Sequence, residues 1–228
     1  MVIFPEPLDS VVGELSTGLT NFFGAAGTGK TNLCMLAAID CIKNGGKVFY
    51  IDTEHGFSPE RFKQLTPQAD KYLEKITLAE PKDFQEQAKM LKNFEGKFDL
   101  IILDSSVALY RLESSEPKNN MSIHDKFLEA NRELSKQLSV LSNISRTKRV
   151  PVIITSHTYK NWVNDNHEIV GGDSIKYWSK TIIFLEKTSK TSERKATIVK
   201  HRFMEEGKNV KFVLVEDGIK PSTGFKIF

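Results

Sequence analysis

The residues of this chain whose types and spacing can do chemistry begin with eight consecutive positions near the N-terminus. They are Gly24, Ala25, Ala26, Gly27, Thr28, Gly29, Lys30 and Thr31. This order matches the spacing G-x-x-x-x-G-K-[ST], in which glycines let backbone N–H groups point inward at phosphate oxygens. Lys30 can then reach the β- and γ-phosphates, and the Thr31 hydroxyl can coordinate Mg²⁺. The segment predicts a nucleoside triphosphate ligand; the alternative is a chance glycine-rich turn.

Three further polar residues lie at the ends of apolar runs. Together with Lys30 they could catalyse hydrolysis of the bound nucleotide. Phosphoryl transfer needs a metal, a positioned water and a cation. Asp104 is placed to hold Mg²⁺ through a water, although a strand-end aspartate can also cap a turn. Glu54 could activate the attacking water, or it could be a surface glutamate that begins a loop. His157 could donate a hydrogen bond to the γ-phosphate, or it could be structural.

The apolar runs predict the elements that must position these side chains. Near-continuous runs predict strands of a parallel sheet that is covered on both faces, at residues 19–23, 47–52, 98–104 and 150–156. Helices are predicted between them, at residues 31–39, 81–94 and 122–147. Three more strands then follow one another without helices, at residues 181–186, 195–201 and 210–215. The predicted fold class is therefore α/β, a mostly parallel central sheet flanked by helices, with an antiparallel C-terminal strand extension.

The composition fits a single α/β domain over residues 1–228, with 39% hydrophobic and 27% charged residues. No run approaches the roughly 20 apolar residues of a membrane helix, and no basic segment precedes the first apolar residues. Cys34 and Cys41 fall on one face of a predicted helix, where core packing is the expected role. These features favour a cytoplasmic protein without a membrane partner.

The charge is unevenly distributed along the chain. The net charge is only +3, but residues 175–228 hold 12 Lys and Arg against 6 Asp and Glu. A basic C-terminal third could meet a polyanion such as DNA, or it could be a solvated face without a partner. Within it, Lys200, His201 and Arg202 end a predicted strand. They could contact DNA or a phosphate bound to a neighbouring subunit of a homo-oligomer, or they could merely be solvated.

The motifs taken together resemble the RecA/RadA recombinase family, and within it most closely the short archaeal RadB group. Residues 50–61 carry Asp-Thr-Glu followed by Phe-Ser-Pro-Glu-Arg, which is similar to the family segment D-T-E-x-x-F-x-P-E-R. The order Asp104-Ser105 with a later Tyr-Arg-Leu-Glu resembles the D-S and F-R-x-E of that family. Val170-Gly171-Gly172 resembles the V-G-G that closes its second DNA-binding loop, and residues 200–203 are similar to a segment associated with RadB.

The resemblance implies a RecA-like P-loop ATPase core that binds ATP with Mg²⁺. It implies Glu54 as the general base, Asp104 as the carboxylate on the metal side, and Arg61 stacking on the adenine.

The polar stretches at 111–121 and 157–174 are predicted as long functional loops. Residues 158–172 correspond to the loop that touches single-stranded DNA in recombinases. The DNA contacts expected there come from Tyr159, Lys160 and Trp162, because aromatic rings stack on bases and cations pair with phosphates.

Departures from the recombinase pattern define the expected function. We expect no N-terminal helical domain and no linker of the kind through which recombinases join, and Ser156-His157 stands where the family has Asn-Gln. We therefore expect a weak ATPase that binds single-stranded or branched DNA and assists repair and recombination without exchanging strands itself. A RadA-type recombinase and a Holliday junction resolvase are the partners that the resemblance implies. The alternatives are a non-catalytic regulator with ATP as a structural ligand, and a KaiC-like signalling ATPase.

Overall fold

The computed structural model describes residues 2–115, 122–160 and 167–222, so Trp162 lies outside it, as does the side chain of Lys160. The helices of the described part are α1 (Asp9–Val12), α2 (Lys30–Lys43), α3 (Pro59–Leu65), α4 (Ala69–Leu73), α5 (Phe84–Lys92), α6 (Ala108–Ser115), α7 (Ile123–Lys148) and α8 (Gly172–Trp178). The strands are β1 (Gly18–Gly24), β2 (Val48–Asp52), β3 (Ile76–Ala79), β4 (Leu100–Asp104), β5 (Pro151–Ser156), β6 (Thr158–Lys160), β7 (His167–Ile169), β8 (Ser179–Lys187), β9 (Glu193–Lys200), β10 (Asn209–Val215) and β11 (Gly218–Pro221).

Nine of the described strands form one sheet in the order β11-β10-β9-β8-β1-β5-β4-β2-β3, while β6 and β7 form a separate pair. Strands β3, β2, β4, β5, β1 and β8 are parallel, and β9, β10 and β11 extend the sheet in antiparallel pairs. The register sets Asp52 beside Asp104 and Phe23 beside Ser156. Because parallel strands end at one edge, the carboxyl edge gathers the polar residues singled out in the sequence.

Buried side chains on both faces explain why the central strands are almost wholly apolar. In one buried cluster, the four helices from α1 through α4 pack against the sheet. In another, the four helices from α5 through α8 pack against it. Ser58, Asp83 and Ser122 accept backbone N–H bonds from the first turns of α3, α5 and α7. Such caps satisfy donors that a helix start leaves free, and they fix where each helix begins. No helix in the described ranges combines the length and apolar character needed to cross a membrane.

The predicted architecture, a parallel sheet with an antiparallel extension, is confirmed. The two polar stretches contain more regular structure than long loops would. Helix α6 continues through residues 111–115, and residues 157–174 contain the β6–β7 hairpin and the start of α8. Strand β11 was not predicted from the sequence, because its four residues offer too short an apolar run.

Candidate functional site

The phosphate-loop residues connect β1 to α2 in the geometry that their glycines predict. Gly27 and Gly29 have φ angles of 72° and 101°, a left-handed region that side chains with a Cβ rarely adopt. The Thr28 hydroxyl donates to the Ala25 carbonyl at 2.9 Å and closes the turn. Helix α2 begins directly at Lys30, so the free N–H groups of its first turn lie at the loop. This arrangement can bind a phosphate chain.

Lys30 is buried and turns its ammonium group back onto the loop. Its Nζ donates to the carbonyls of Gly24 at 3.0 Å and Ala25 at 3.2 Å. Burial lowers the pKa of Lys30, and the nearby Glu54 and Asp104 carboxylates oppose that shift. A buried cation whose two hydrogen bonds go to neutral carbonyls can exchange them for stronger ones to an anion.

Asp104 is held by hydroxyl groups at the end of β4. Tyr50 donates to its Oδ2 at 2.9 Å, and Thr155 donates to its Oδ1 at 2.5 Å. Burial raises the pKa of Asp104, while hydrogen bonds with Thr155, Thr31 and Tyr50 lower it in part. The hydrogen bond with Thr31 brings together the two side chains expected to serve Mg²⁺.

Asp52 shapes the loop that carries Glu54. It is buried, and its two oxygens accept backbone N–H bonds from Glu54 at 3.2 Å, Gly56 at 3.1 Å and Phe57 at 2.8 Å. Thr53 completes the support, since its hydroxyl donates to the Ser105 carbonyl at 2.8 Å. The turn at the end of β2 therefore fixes the backbone from which Glu54 projects.

We expect Asp52→Ala to lower both the free energy of unfolding and ATP turnover. The loss of one buried acceptor for three backbone donors corresponds to about 1–3 kcal/mol, measured by urea denaturation. Asp70→Ala is the matched control, because the Asp70 side chain is 88% exposed and pairs with Lys63 on the surface. Equal stability of the two variants would contradict the supporting role of Asp52.

Glu54 and His157 meet directly in the structure. His157 Nε2 lies 2.8 Å from Glu54 Oε1, although the two residues stand 103 positions apart. The pKa of Glu54 is lowered, first by the hydrogen bond from His157 and further by Ser105 and Lys30, against an opposing effect of burial. The carboxylate is therefore ionised to a lower pH than an ordinary glutamate. Sequence reasoning placed both residues in the site but not their contact.

Arg61 fastens the antiparallel extension to the core. It makes four hydrogen bonds, to Asn32 on α2, to Gln64 on α3, and to the carbonyls of Val215 and Glu216 at the end of β10. These bonds lie in the plane of the guanidinium, so its flat faces are what a base could stack on. The expected adenine contact remains a prediction.

The antiparallel extension also reaches the phosphate loop itself. Arg194 Nη2 donates to the Gly27 carbonyl at 3.1 Å. A Cβ built at Gly27 would lie 3.1 Å from Lys187 Nζ, and one built at Gly29 would lie 3.2 Å from Leu214 Cδ1. No local sequence pattern predicts these contacts, because the residues approach the loop only through the pairing of β8, β9 and β10.

One cleft of about 360 Å³ lies at the carboxyl edge of the sheet, beside the phosphate loop. Its lining includes Lys30, Thr31, Glu54, Asp104, His157, Arg61 and Leu214. The structure thus brings together the phosphate loop, both carboxylates and the histidine, which the sequence predicted separately. A cation, two acidic groups and free backbone donors in one cleft can bind a phosphate ester and activate a water beside it.

Tyr159 lies outside the cleft, in a second and larger groove of about 500 Å³ between α6, α7 and the β6–β7 hairpin. Tyr159 is 49% exposed, and its hydroxyl donates to Glu168 across the hairpin at 3.1 Å. Arg111 and Phe127 line the same groove. An exposed ring beside a cation suits stacking on a nucleic-acid base.

Lys200, His201 and Arg202 lie at the end of the sheet opposite the cleft. Lys200 pairs with Ile182 near the start of β8, whereas the phosphate loop pairs with Leu185 further along. The Lys200 ammonium donates to the carbonyls of Lys176 and Ser179 and so caps the C-terminus of α8. Burial lowers the pKa of Lys200. His201 accepts two backbone N–H bonds in the following turn, so Arg202 is the exposed cation of the three.

The sheet order, the phosphate loop and the carboxyl-edge cleft define a RecA-like fold. A family model described as Rad51 matches residues 6–222, and the chain belongs to the Rad51 family. Within it, the chain groups with the RadB proteins.

Relatives and a solved structure support this grouping over most of the chain. A "DNA repair and recombination protein RadB" of Methanococcoides burtonii is 38% identical over 94% of this chain and 95% of its own length. The Methanococcus maripaludis (strain C5) protein of the same description is 41% identical over 89% and 90%. The "Crystal structure of the RadB recombinase" matches with a TM-score of 0.77 and 31% identity, covering 96% of this chain and 97% of that one.

Proposed function

We propose that residues 1–228 form a RecA-type ATPase domain that binds ATP with Mg²⁺, hydrolyses it slowly, and acts with DNA in repair and homologous recombination. The observation that carries the proposal is the single cleft that holds the phosphate loop, Asp104 and Glu54. RadB relatives described as DNA repair and recombination proteins support the process. We infer that strand exchange is not an activity of this chain alone.

The donors in the cleft fit a magnesium nucleotide. The Thr31 hydroxyl is a hard oxygen ligand of the kind that Mg²⁺ prefers, and the Asp104 carboxylate would hold the ion through a water. Asp104 is already pre-oriented by Tyr50 and Thr155. Bound Mg²⁺ would neutralise charge on the phosphates. The backbone N–H groups between Gly24 and Thr31 and the Lys30 ammonium would hold the phosphate chain, and Arg61 would stack on the base.

Glu54 would then act as the general base. It would take the proton of a water whose oxygen bonds to the γ-phosphorus, while the bond from that phosphorus to the bridging oxygen breaks and its electron pair stays with ADP. His157 lines the same cleft and lies 2.8 Å from Glu54. Lys30 would stabilise the charge that develops on the transferred phosphoryl group.

DNA contacts are proposed for two surfaces. The groove beside the β6–β7 hairpin offers Tyr159, and Lys160 and Trp162 follow it in sequence. The other surface carries Lys200, His201 and Arg202, which could instead serve a neighbouring subunit. A RadA-type recombinase and a Holliday junction resolvase are proposed as protein partners.

The salt dependence of DNA binding distinguishes the cations of the second surface. If Arg202 touches a phosphate, Arg202→Ala should reduce the slope of log K against log salt by about 0.7–0.9. Lys200→Ala should instead lower the melting temperature, since the Lys200 ammonium caps the C-terminus of α8. An unchanged slope in Arg202→Ala would move this surface to the subunit-contact alternative.

A non-catalytic regulator that uses ATP as a structural ligand is the second candidate function. The Glu54–His157 contact favours it, because that contact occupies the expected base. A KaiC-like signalling ATPase is disfavoured by the 38% and 41% identity to RadB proteins.

Electron microscopy and a strand-exchange assay of the purified chain with Mg-ATP and single-stranded DNA test the proposed accessory role. We expect no strand exchange by the chain alone. Filaments that exchange strands without another protein would refute it.

A further inference from the structure

The contact between Glu54 and His157 occupies the Glu54 carboxylate, which in the proposed mechanism accepts a proton from water. The side chains are 38% and 19% exposed, so the pair sits at the mouth of the cleft and not deep in the core. One carboxylate oxygen faces His157 Nε2 at 2.8 Å, and the neighbouring Ser105 side chain also lowers the pKa of this carboxylate. A carboxylate held in this way has fewer free lone pairs for a water.

Both partners are anchored by backbone contacts that do not depend on the pair. The loop of Glu54 is fixed by the three hydrogen bonds to Asp52. His157 joins β5 to β6, and its carbonyl accepts the N–H of Val170 at 2.9 Å, just after β7. The imidazole therefore reaches Glu54 from the base of the hairpin that carries Tyr159. Separation of the pair by side-chain rotation would leave these backbone hydrogen bonds in place.

The charged groups around the pair act on Glu54 in opposite directions. Lys30 from α2 lowers the pKa of Glu54, whereas burial and the like charge of Asp104 from β4 oppose that shift. The hydrogen bond from His157 is the largest cause of the lowered pKa of Glu54. A carboxylate with a lowered pKa is a weaker base, and general-base catalysis falls as the pKa of the base falls away from the working pH.

We propose that His157 restrains Glu54, so that the pair holds back hydrolysis and must open before Glu54 can accept a proton from water. The inference rests on the proposed role of Glu54 as general base. His157 is then a positioning residue whose removal speeds turnover. This is the opposite of the effect expected if His157 senses the γ-phosphate.

Turnover of the full-length His157→Ala variant tests the direction. We expect kcat for Mg-ATP to rise at least threefold, with the dissociation constant of Mg-ATP within twofold of that of the parent chain. His157→Gln keeps an N–H donor and should stay closer to the parent. His124→Ala is the control, because His124 is an exposed histidine on α7. A lower or unchanged kcat in His157→Ala would overturn the restraint.

A second measurement reports on the pair without turnover. Carbon-13 NMR of the side-chain carboxyl groups should show the pKa of Glu54 rising towards the ordinary glutamate range in His157→Ala. An unmoved Glu54 titration would overturn the proposal. Glu54→Gln separates the two hypotheses. If it abolishes turnover while His157→Ala fails to raise it, the restraint falls and the proposed function stands; if it leaves turnover unchanged, the proposed base falls.

Discussion

Glu54→Gln should lower ATP turnover by about 10²–10⁴-fold, the usual contribution of a general base. Gln has the same shape as Glu but no basic oxygen, so the support from Asp52 and the phosphate loop stays in place. The dissociation constant of Mg-ATP should remain within a few-fold or become tighter, because a negative charge next to the phosphates is removed. Phosphate release measures turnover, and equilibrium titration with a fluorescent ATP analogue measures binding.

Glu60→Gln is the matched control for this experiment. Glu60 belongs to the same segment, but it is exposed and accepts a hydrogen bond from Ser58. It should leave turnover unchanged. Full activity in Glu54→Gln would exclude Glu54 as the base and favour the regulator with ATP as a structural ligand.

Lys30→Met should abolish the rise in melting temperature that Mg-ATP causes in the parent chain. Charge-assisted pairs of this kind contribute about 2–5 kcal/mol, so affinity should fall by at least about 30-fold. The unliganded variant should lose no more than about 1 kcal/mol of unfolding free energy, because burial of the ammonium is itself costly and the Met chain can pack in its place. Thermal melting with and without Mg-ATP measures both effects.

The pH dependence of this variant provides an independent readout. The folded-state pKa of Lys30 is lowered, so between that pKa and the ordinary value of 10.5 the unfolded chain binds the extra proton. Stability of the parent chain should therefore rise with pH through that window, and Lys30→Met should lack this contribution. Lys43→Met, at the exposed far end of α2, is the control. A melting shift with Mg-ATP equal to that of the parent would contradict the role of Lys30.

The parts of the site that could be predicted from sequence are those encoded by consecutive residues. The phosphate loop needs only its glycines and the strand and helix on either side. Asp104 needs only the apolar strand that it ends. The location of Glu54 in the site could be predicted in the same way, because parallel strands end at the same edge of a sheet.

The contacts that sequence did not predict all join distant segments. Arg61 meets the carbonyls of Val215 and Glu216, 154 and 155 positions away, and Arg194 meets Gly27 across 167 positions. These contacts depend on where β9 and β10 are added to the sheet, which local patterns do not specify. The Glu54–His157 pair likewise depends on side-chain rotamers in a loop, where no periodicity exists to read.

Helix α6 and the β6–β7 hairpin show a related difficulty. Both lie at the surface, so polar residues cover much of their length and conceal the apolar side that packs inward. In α6 only Leu109 and Tyr110 are buried, and in β7 only Ile169. Short elements with so few buried residues look like loops in a sequence.

Binding of the full chain to single-stranded, duplex and branched DNA, measured across salt concentrations with and without Mg-ATP, is the most direct test of an ATP-dependent DNA-binding protein. We predict binding that depends on Mg-ATP, weakens as salt increases, and favours single-stranded or branched DNA over duplex. Lys30→Met should bind as the parent chain does without nucleotide. Negligible binding to all three DNAs in every condition would contradict this function and favour a role through protein partners alone.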